Sequence, residues 1–160
     1  MRRLKIYIET STWNFVFAED SPEKMAITKD FFEVVRRGVY EIYISDIVLL
    51  EIERAKDDIR RKLSGLINEY RPKEIQSSDE IEDLAQEYLA KKIVPSHKRE
   101  DALHIAIATV EELDAVVTWN YRHMANLRKA ELFYSVNVEM GYHKRLEIIT
   151  PTEVSRYEER

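Results

Sequence analysis

The amino-acid sequence predicts an α/β fold in which a central parallel sheet is covered by helices on both faces. Short segments with strand character alternate along the chain with longer segments of helical spacing, which is the order expected when helices connect parallel strands. One of the short segments, DAVVTW at 114–119, is almost wholly apolar, as expected of a strand buried on both faces. Because the 160 residues contain no repeat, low-complexity tract or Gly/Ser linker, we expect a single domain over residues 1–160.

The predicted strands are short. Residues 4–8 (LKIYI) place Ile6 and Ile8 on one face, and residues 39–44 (VYEIYI) also alternate between the two faces of a strand. The apolar segment 114–119 is the next strand, and EII at 147–149 is the last.

Helices are predicted between the strands from their start and stop signals. Ser21 and Pro22 begin the first helix and Gly38 ends it, whereas Ser45 caps the helix DIVLLEIERA. The remaining predicted helices are a segment from Ile59 to Tyr70 ended by Pro72, one that begins at a capping box of Ser77 and Glu80 and ends before Pro95, REDALHIAIATVEEL at 99–113, residues 127–140, and a terminal helix that begins at a capping box from Thr150 to Glu153.

The composition excludes several classes of protein. The chain has no cysteine, so neither a disulfide framework nor a thiolate zinc site can form, and we expect a cytoplasmic location. No apolar run approaches the roughly 20 residues of a membrane helix, and MRRLKIYIET lacks the apolar core of a secretory signal, so we expect a soluble protein without a membrane partner. The sequence also contains no phosphate loop, dinucleotide fingerprint, G-x-S-x-G or H-E-x-x-H motif.

Polar side chains occur where ligands bind in a parallel sheet, outside the carboxyl ends of the strands. Glu9 directly follows the first predicted strand and Asn120 follows the segment 114–119, while Glu51 lies on the helix after the second predicted strand and Asp101 begins the helix at 99–113. Each residue alone has an ordinary explanation, such as a helix-dipole partner for Asp101 or a turn residue for Asn120. Together, acids from distant parts of the chain would repel one another unless a cation neutralised them, and oxygen ligands favour magnesium or manganese.

Four segments resemble the acidic motif regions of PIN-domain proteins, a ribonuclease fold that includes the VapC toxins of toxin–antitoxin pairs. The segments are YIETS, SDIVLLEIER, REDALHIAIA and VVTWNYRHM, and the resemblance extends from about residue 5 to residue 123. The TWN-x-RH arrangement and the tail VNVEMGYHKRLEIITPTEV resemble one subgroup of the family. The resemblance implies a PIN-like three-layer α/β/α fold with a central parallel sheet of about four or five strands.

The resemblance also implies a metal-dependent endoribonuclease that prefers single-stranded RNA and uses one or two Mg or Mn ions. Glu9, Glu51, Asp101 and Asn120 match the four acidic positions and would be the catalytic residues and metal ligands. Two departures bear on this site. Glu9 is one methylene longer than the usual aspartate, so its carboxylate must fold back or shift the ion, and Asn120 lacks a charge, so metal affinity should fall.

Neighbouring residues are candidates for supporting the site or binding substrate. Thr10 and Ser11 match hydroxyls that steady the metal site in the family, and Ser11, Arg122 and His123 are the predicted substrate-binding residues. Two alternatives remain open for His104, a partner of the acids or a hydrogen-bonded core residue, and the apolar helix around it favours the core residue.

The positions of the two tryptophans and of the clustered basic residues predict their roles. Trp13 and Trp119 lie at predicted strand ends, where burial is favoured over base stacking. A net charge of −5 does not exclude a local basic patch, and the basic residues are expected to form either solvated faces or a rim that holds RNA phosphates. The clustered residues are Arg54, Lys56, Arg60, Arg61, Lys62, Lys98 and Arg99.

The sequence supports three hypotheses for the function. The first is a PIN-like ribonuclease, the toxin of a toxin–antitoxin pair, which works as a homodimer and uses the segments after Trp13 and around 25–35 to contact its partner or an antitoxin protein. The second is a PIN fold that binds RNA or protein without cleaving, because Glu9 and Asn120 weaken its site. The third is a metal-dependent phosphatase on an unrelated α/β fold.

Overall fold

Five parallel strands form one sheet in the computed structural model, which describes residues 2–158 and their side chains through residue 154. The strands are β1 (Leu4–Ile8), β2 (Tyr40–Ser45), β3 (Lys73–Ile75), β4 (Ala115–Val117) and β5 (Glu147–Ile149). Their order across the sheet is β3-β2-β1-β4-β5, so β1 is central, and Ile6 pairs with Ile42 on one side and with Ala115 on the other. The predicted parallel sheet is confirmed.

Helices cover both faces of this sheet. They are α1 (Thr10–Phe15), α2 (Pro22–Arg36), α3 (Asp46–Glu53), α4 (Asp57–Tyr70), α5 (Asp79–Ala90), α6 (Arg99–Val110), α7 (Leu127–Glu139) and α8 (Pro151–Glu158), with a 3₁₀ turn at Ser96–Lys98. The α5 helix packs against α6 and α7, whereas α2 packs against α1 and α8. The result is the predicted three-layer α/β/α architecture. No helix within residues 2–158 has the length and apolar character needed to cross a membrane.

Several predicted element ends are confirmed by their hydrogen bonds. The Ser45 hydroxyl accepts from the backbone N–H of Ile47 at 3.1 Å and so caps α3. Gly38 follows α2 with a φ of 76°, a conformation that glycine adopts without steric cost. The carboxylate of Glu153 accepts from the N–H of Thr150 at 2.7 Å, as the last predicted capping box requires.

Other predicted boundaries are wrong. Ser78, not Ser77, caps α5 by accepting from the N–H of Ile81, while the Ser77 hydroxyl donates to Asp46 at 2.9 Å. Ser21 is the N-cap residue of α2, so that boundary is as predicted, although its side chain makes no capping hydrogen bond. The α3 helix ends at Glu53 and α6 ends at Val110, both earlier than predicted, and the apolar segment 114–119 contributes only Ala115–Val117 to the sheet.

Two elements were missed because they are short. The β3 strand has three residues at the edge of the sheet, where Lys73 and Glu74 are exposed, so it shows no hydrophobic alternation. The α1 helix has six residues and is capped by Glu9, whose side chain accepts from the N–H of Ser11.

Both tryptophans are buried, which confirms the packing prediction. Trp13 is 0% exposed and Trp119 is 5% exposed. The indole N–H of Trp13 donates to the carbonyl oxygen of Ile8 at 3.0 Å, and that of Trp119 donates to the Thr28 hydroxyl at 2.8 Å. Their positions leave neither ring free for base stacking.

An aromatic cage holds the loop after β4 against α2. It consists of the rings of Phe15, Trp119 and Tyr121, and the Nζ of Lys24 lies 5.5 Å from each ring centroid. Cation–π attraction at this distance links α2 to the segment that carries Asn120.

Candidate active site

Glu9 stands at the carboxyl end of β1 with its carboxylate turned back over the start of α1. Its Oε1 accepts from the Ser11 N–H at 3.1 Å, from the Ser11 hydroxyl at 2.5 Å and from the Thr118 hydroxyl at 2.7 Å. The residue is 5% exposed, and these three donors compensate for its burial. The longer side chain is therefore accommodated by folding back, one of the two outcomes expected from the sequence.

Glu51 on α3 meets His104 on α6. The Oε1 of Glu51 accepts from the Thr10 hydroxyl at 2.6 Å and lies 2.6 Å from the Nε2 of His104. Burial opposes ionisation of Glu51, but the hydrogen bond and charge of His104, together with Thr10, hold the pKa of Glu51 below its ordinary value. Burial likewise opposes a charged His104, yet Glu51 first and then Glu9 and Asp101 raise the pKa of this imidazole.

A buried hydrogen-bond chain continues from His104 through Tyr7 of β1 to Ser45 at the end of β2. The hydroxyl of Tyr7 lies 2.6 Å from the Nδ1 of His104 and 2.7 Å from the Ser45 hydroxyl, and Tyr7, Ser45 and His104 are all 0% exposed. His104 is thus a core residue with both ring nitrogens hydrogen-bonded, as the sequence favoured. It is also a partner of the acids, so the two alternatives are both true.

Asp101 and Asn120 form a second pair beside the two glutamates. The Nδ2 of Asn120 donates to the Oδ2 of Asp101 at 3.3 Å, while its Oδ1 accepts from the His123 N–H at 2.9 Å. Burial raises the pKa of Asp101, and the negative charges of Glu9 and Glu51 add to this effect although His104 opposes it. Because residue 120 is an amide, it donates a hydrogen bond to Asp101, whereas a carboxylate at this position would repel Asp101.

The donor set fits a hard divalent cation. Glu9, Glu51 and His104 each offer one ligand atom, and these atoms lie within 4.8 Å of one another. Both ring nitrogens of His104 already have partners, so its first effect is to orient Glu51, and the carboxylate oxygens remain the donors that Mg²⁺ or Mn²⁺ prefers. Asp101 is not one of these three residues, but it lines the same cleft as Glu51, and the charges of Glu9 and Glu51 contribute to raising its pKa.

The hydroxyl groups predicted to steady the site contact the acids directly. Thr10 donates to Glu51, and Ser11 donates to Glu9 while accepting from the Trp119 N–H at 2.9 Å. Sequence reasoning missed Tyr7 and Thr118. Thr118 had a detectable signal, because it is a polar residue within the apolar segment 114–119, directly after the last residue of β4.

Basic residues line the cleft beside the acids. A cleft of about 280 Å³ has Glu51 and Asp101 among its lining residues, together with Arg54, Lys98 and Arg99. Arg54 pairs with Glu100 and Arg99 with Glu82, so part of this charge is already compensated. Elsewhere the expected solvated ion pairs occur, as in Arg60 with Asp57 at 2.6 Å.

The backbone is similar to that of a chain in the crystal structure of VapBC2 from Rickettsia felis bound to a DNA fragment from their promoter. The TM-score is 0.55 at 18% sequence identity, and the alignment covers 91% of this chain and 98% of that chain. No family profile and no curated protein matches the sequence. The likeness shows a PIN-like, VapC-like fold, and it does not bear on the subgroup indicated by TWN-x-RH. The unrelated fold required by the phosphatase hypothesis is not the one observed.

Proposed function

We propose that the chain is a metal-dependent endoribonuclease that cleaves single-stranded RNA and acts as the toxin of a type II toxin–antitoxin pair. The observation that carries the proposal is the cluster of Glu9, Glu51 and His104, whose ligand atoms lie within 4.8 Å of one another, beside a cleft that both Glu51 and Asp101 line. The structural likeness to a VapBC2 chain supports the toxin role.

One or two Mg²⁺ or Mn²⁺ ions, when bound, would polarise the phosphodiester, lower the pKa of an attacking water and stabilise the leaving oxygen. Glu9, Glu51, Asp101 and Asn120 are the proposed catalytic residues and ligands. Ser11 and Thr118 hold one oxygen of Glu9 and leave Oε2 to face His104 at 4.0 Å.

The remaining side chains position the acids and the substrate. His104 and Thr10 orient Glu51 through the same oxygen, so the direction of this carboxylate is determined before substrate arrives. Asn120 holds Asp101 and in turn accepts from the backbone of His123. Arg122 and His123 follow on the same loop, where arginine can bind a phosphate through two parallel hydrogen bonds.

The test compares Asp101→Asn with Asp83→Asn, which makes the same charge change at an exposed position of α5. Cleavage of a labelled single-stranded RNA is followed while Mn²⁺ is titrated, and Mn²⁺ binding is measured separately by calorimetry. We expect Asp101→Asn to abolish cleavage and weaken Mn²⁺ binding while Asp83→Asn does neither. Hydrolysis of small phosphate esters with no cleavage of RNA would refute the proposal.

A second candidate function is an RNA- or protein-binding PIN fold that does not cleave. The observation in its favour is that the Asn120 amide already occupies an oxygen of Asp101 and brings no charge to the site. RNA binding without cleavage at any Mn²⁺ concentration would support this candidate over the first.

Partners and location belong to the same proposal. We propose a homodimer that works in the cytoplasm and is neutralised by an antitoxin protein. Light scattering tests the dimer. Growth arrest on expression, relieved by the product of an adjacent small reading frame, tests the toxin role, and the lack of arrest would contradict it.

A further inference from the structure

A second cleft, of about 560 Å³, opens between the α5–α6 connection and the loop after β4. Its lining is strongly basic, and among the described residues that form it there is no carboxylate. The basic and imidazole side chains are those of Lys92, His97, Arg122, His123 and Lys129. Its volume lies within the roughly 300–1,000 Å³ typical of ligand pockets.

This basic cleft is continuous with the acid site. His97 lines both the basic cleft and the cleft that contains Glu51 and Asp101. The backbone N–H of His123 donates to the Oδ1 of Asn120 at 2.9 Å, so the loop that forms one wall of the basic cleft is hydrogen-bonded to the candidate active site. A polymer with a phosphate at the acids would therefore extend into the basic cleft.

The floor of the basic cleft is apolar, whereas its rim carries positive charge. Ile93 and Val94 line the cleft and are 2% and 1% exposed, which gives it an apolar floor suited to the face of a base. Lys92 and Arg122 are exposed and face solvent at the rim, while the ammonium of Lys129 is hydrogen-bonded to the carbonyl of Ile93. A cleft with cations at its rim and an apolar floor can bind both the phosphates and the bases of a single-stranded nucleic acid.

The backbone at Lys92 places a cation where glycine is normally favoured. Lys92 has a φ of 59° at the end of α5, and the N–H of Ile93 donates to the carbonyl of Tyr88 at 3.1 Å, as in a helix-ending turn with a left-handed residue. Arg71 and Glu112 adopt the same conformation, and glycine could replace Lys92 here without steric cost.

We propose that the basic cleft binds the segment of single-stranded RNA that flanks the scissile phosphate, with Lys92 and Arg122 contacting phosphate and the apolar floor contacting a base. This inference rests on the proposed function for its choice of RNA. It assigns the bound strand to the side of the acid site formed by α5 and the loop after β4.

The test measures binding of a short fluorescent single-stranded RNA by anisotropy, with the full chain carrying Asp101→Asn so that cleavage does not interfere. The variants are Lys92→Gly and Arg122→Ala. Arg71→Gly is the matched control, because Arg71 is also a cation in the left-handed conformation at a helix end, with a φ of 50°, but it lies before β3 at the opposite edge of the sheet.

We expect Lys92→Gly and Arg122→Ala each to weaken binding roughly three- to tenfold and to reduce the slope of log K against log salt by about 0.7. Arg71→Gly should leave both quantities unchanged. Urea unfolding separates binding from folding, because glycine suits the left-handed conformation and the unfolding midpoint of Lys92→Gly should not fall.

Unchanged affinity and salt slope in Lys92→Gly and Arg122→Ala would overturn the assignment, and so would an equal loss in Arg71→Gly. Binding of an acidic peptide with no binding of RNA would also overturn it. If the variants lose RNA binding but the unsubstituted chain never cleaves RNA with Mn²⁺, the nuclease proposal fails and the cleft assignment stands.

Discussion

Tyr7→Phe removes one oxygen atom from the centre of the buried chain that connects β1, β2, α3 and α6. The phenol of Tyr7 is 0% exposed and contacts the Nδ1 of His104 at 2.6 Å and the Ser45 hydroxyl at 2.7 Å. Burial raises the pKa of Tyr7 well above its ordinary value, so the phenol stays neutral and can always donate.

The expected loss of stability depends on which hydrogen bonds Ser45 and His104 keep when the Tyr7 oxygen is removed. The Ser45 hydroxyl still accepts from the N–H of Ile47 at 3.1 Å, but it loses the Tyr7 oxygen as its other hydrogen-bond partner. The Nδ1 of His104 loses its partner in a fully buried position, which costs about 1–3 kcal/mol. For a chain of this length, the melting temperature should fall by about 2–4 °C per kcal/mol.

The assay is urea unfolding of the metal-free protein at neutral pH, with Tyr134→Phe as the control. Tyr134 is a half-buried tyrosine on α7, outside the buried chain, so its variant should stay within about 0.5 kcal/mol of the parent. A Tyr7→Phe protein as stable as the parent would refute the conclusion that His104 depends on this phenol.

Three further predictions concern other parts of the structure. Asp114→Ala should cost about 1–3 kcal/mol at neutral pH, because its carboxylate accepts from Arg2 and from the Lys5 N–H at 2.7 Å. Burial opposes ionisation of Asp114, but these donors hold its pKa far below the ordinary value, so urea unfolding should show the difference in full above about pH 4 and progressively lost at lower pH. Lys24→Met should lower the free energy of unfolding by about 1 kcal/mol, since it removes the cation from the aromatic cage, and unchanged stability would contradict that role. Asp101→Asn should raise the unfolding free energy of the metal-free protein at neutral pH, because the raised pKa of Asp101 reflects a buried charge held at a cost, and a lower stability in EDTA would contradict this.

The elements that could be predicted from the sequence are those with local signals. The alternation around Ile6 and Ile8 and the cap at Ser45 act within a few residues, so β1 and α3 were found. The β3 strand has no such signal, because it is defined only by pairing, as in Tyr43 with Lys73, and that pairing depends on the tertiary fold.

The residues of the candidate site also divide into those with a local sequence signal and those that depend on the tertiary fold. Glu9 could be found because it directly follows β1, and Asn120 because it follows the apolar segment that contains β4; strand ends of a parallel sheet converge. The contact of His104 with Glu51 joins residues 53 positions apart, and it depends on the rotation of α6 about its own axis. Because α6 is buried on nearly all sides, its sequence carries no polar face that would reveal this rotation.

His104 also changes the physical argument for a metal ion. Acids that converge need positive charge nearby, and the sequence offered only an external cation for this purpose. The structure adds an internal partner, since the Nε2 of His104 lies 2.6 Å from Glu51 and 4.0 Å from Glu9, and these acids raise the pKa of the imidazole. Burial is the main cause of the raised pKa of Asp101, the charges of Glu9 and Glu51 add to it, and the neighbouring Asn120 brings no charge. His104 and the hydroxyl groups that donate to Glu9 and Glu51 therefore compensate part of the repulsion among the acids, and the need for a metal ion rests on the chemistry proposed for the site.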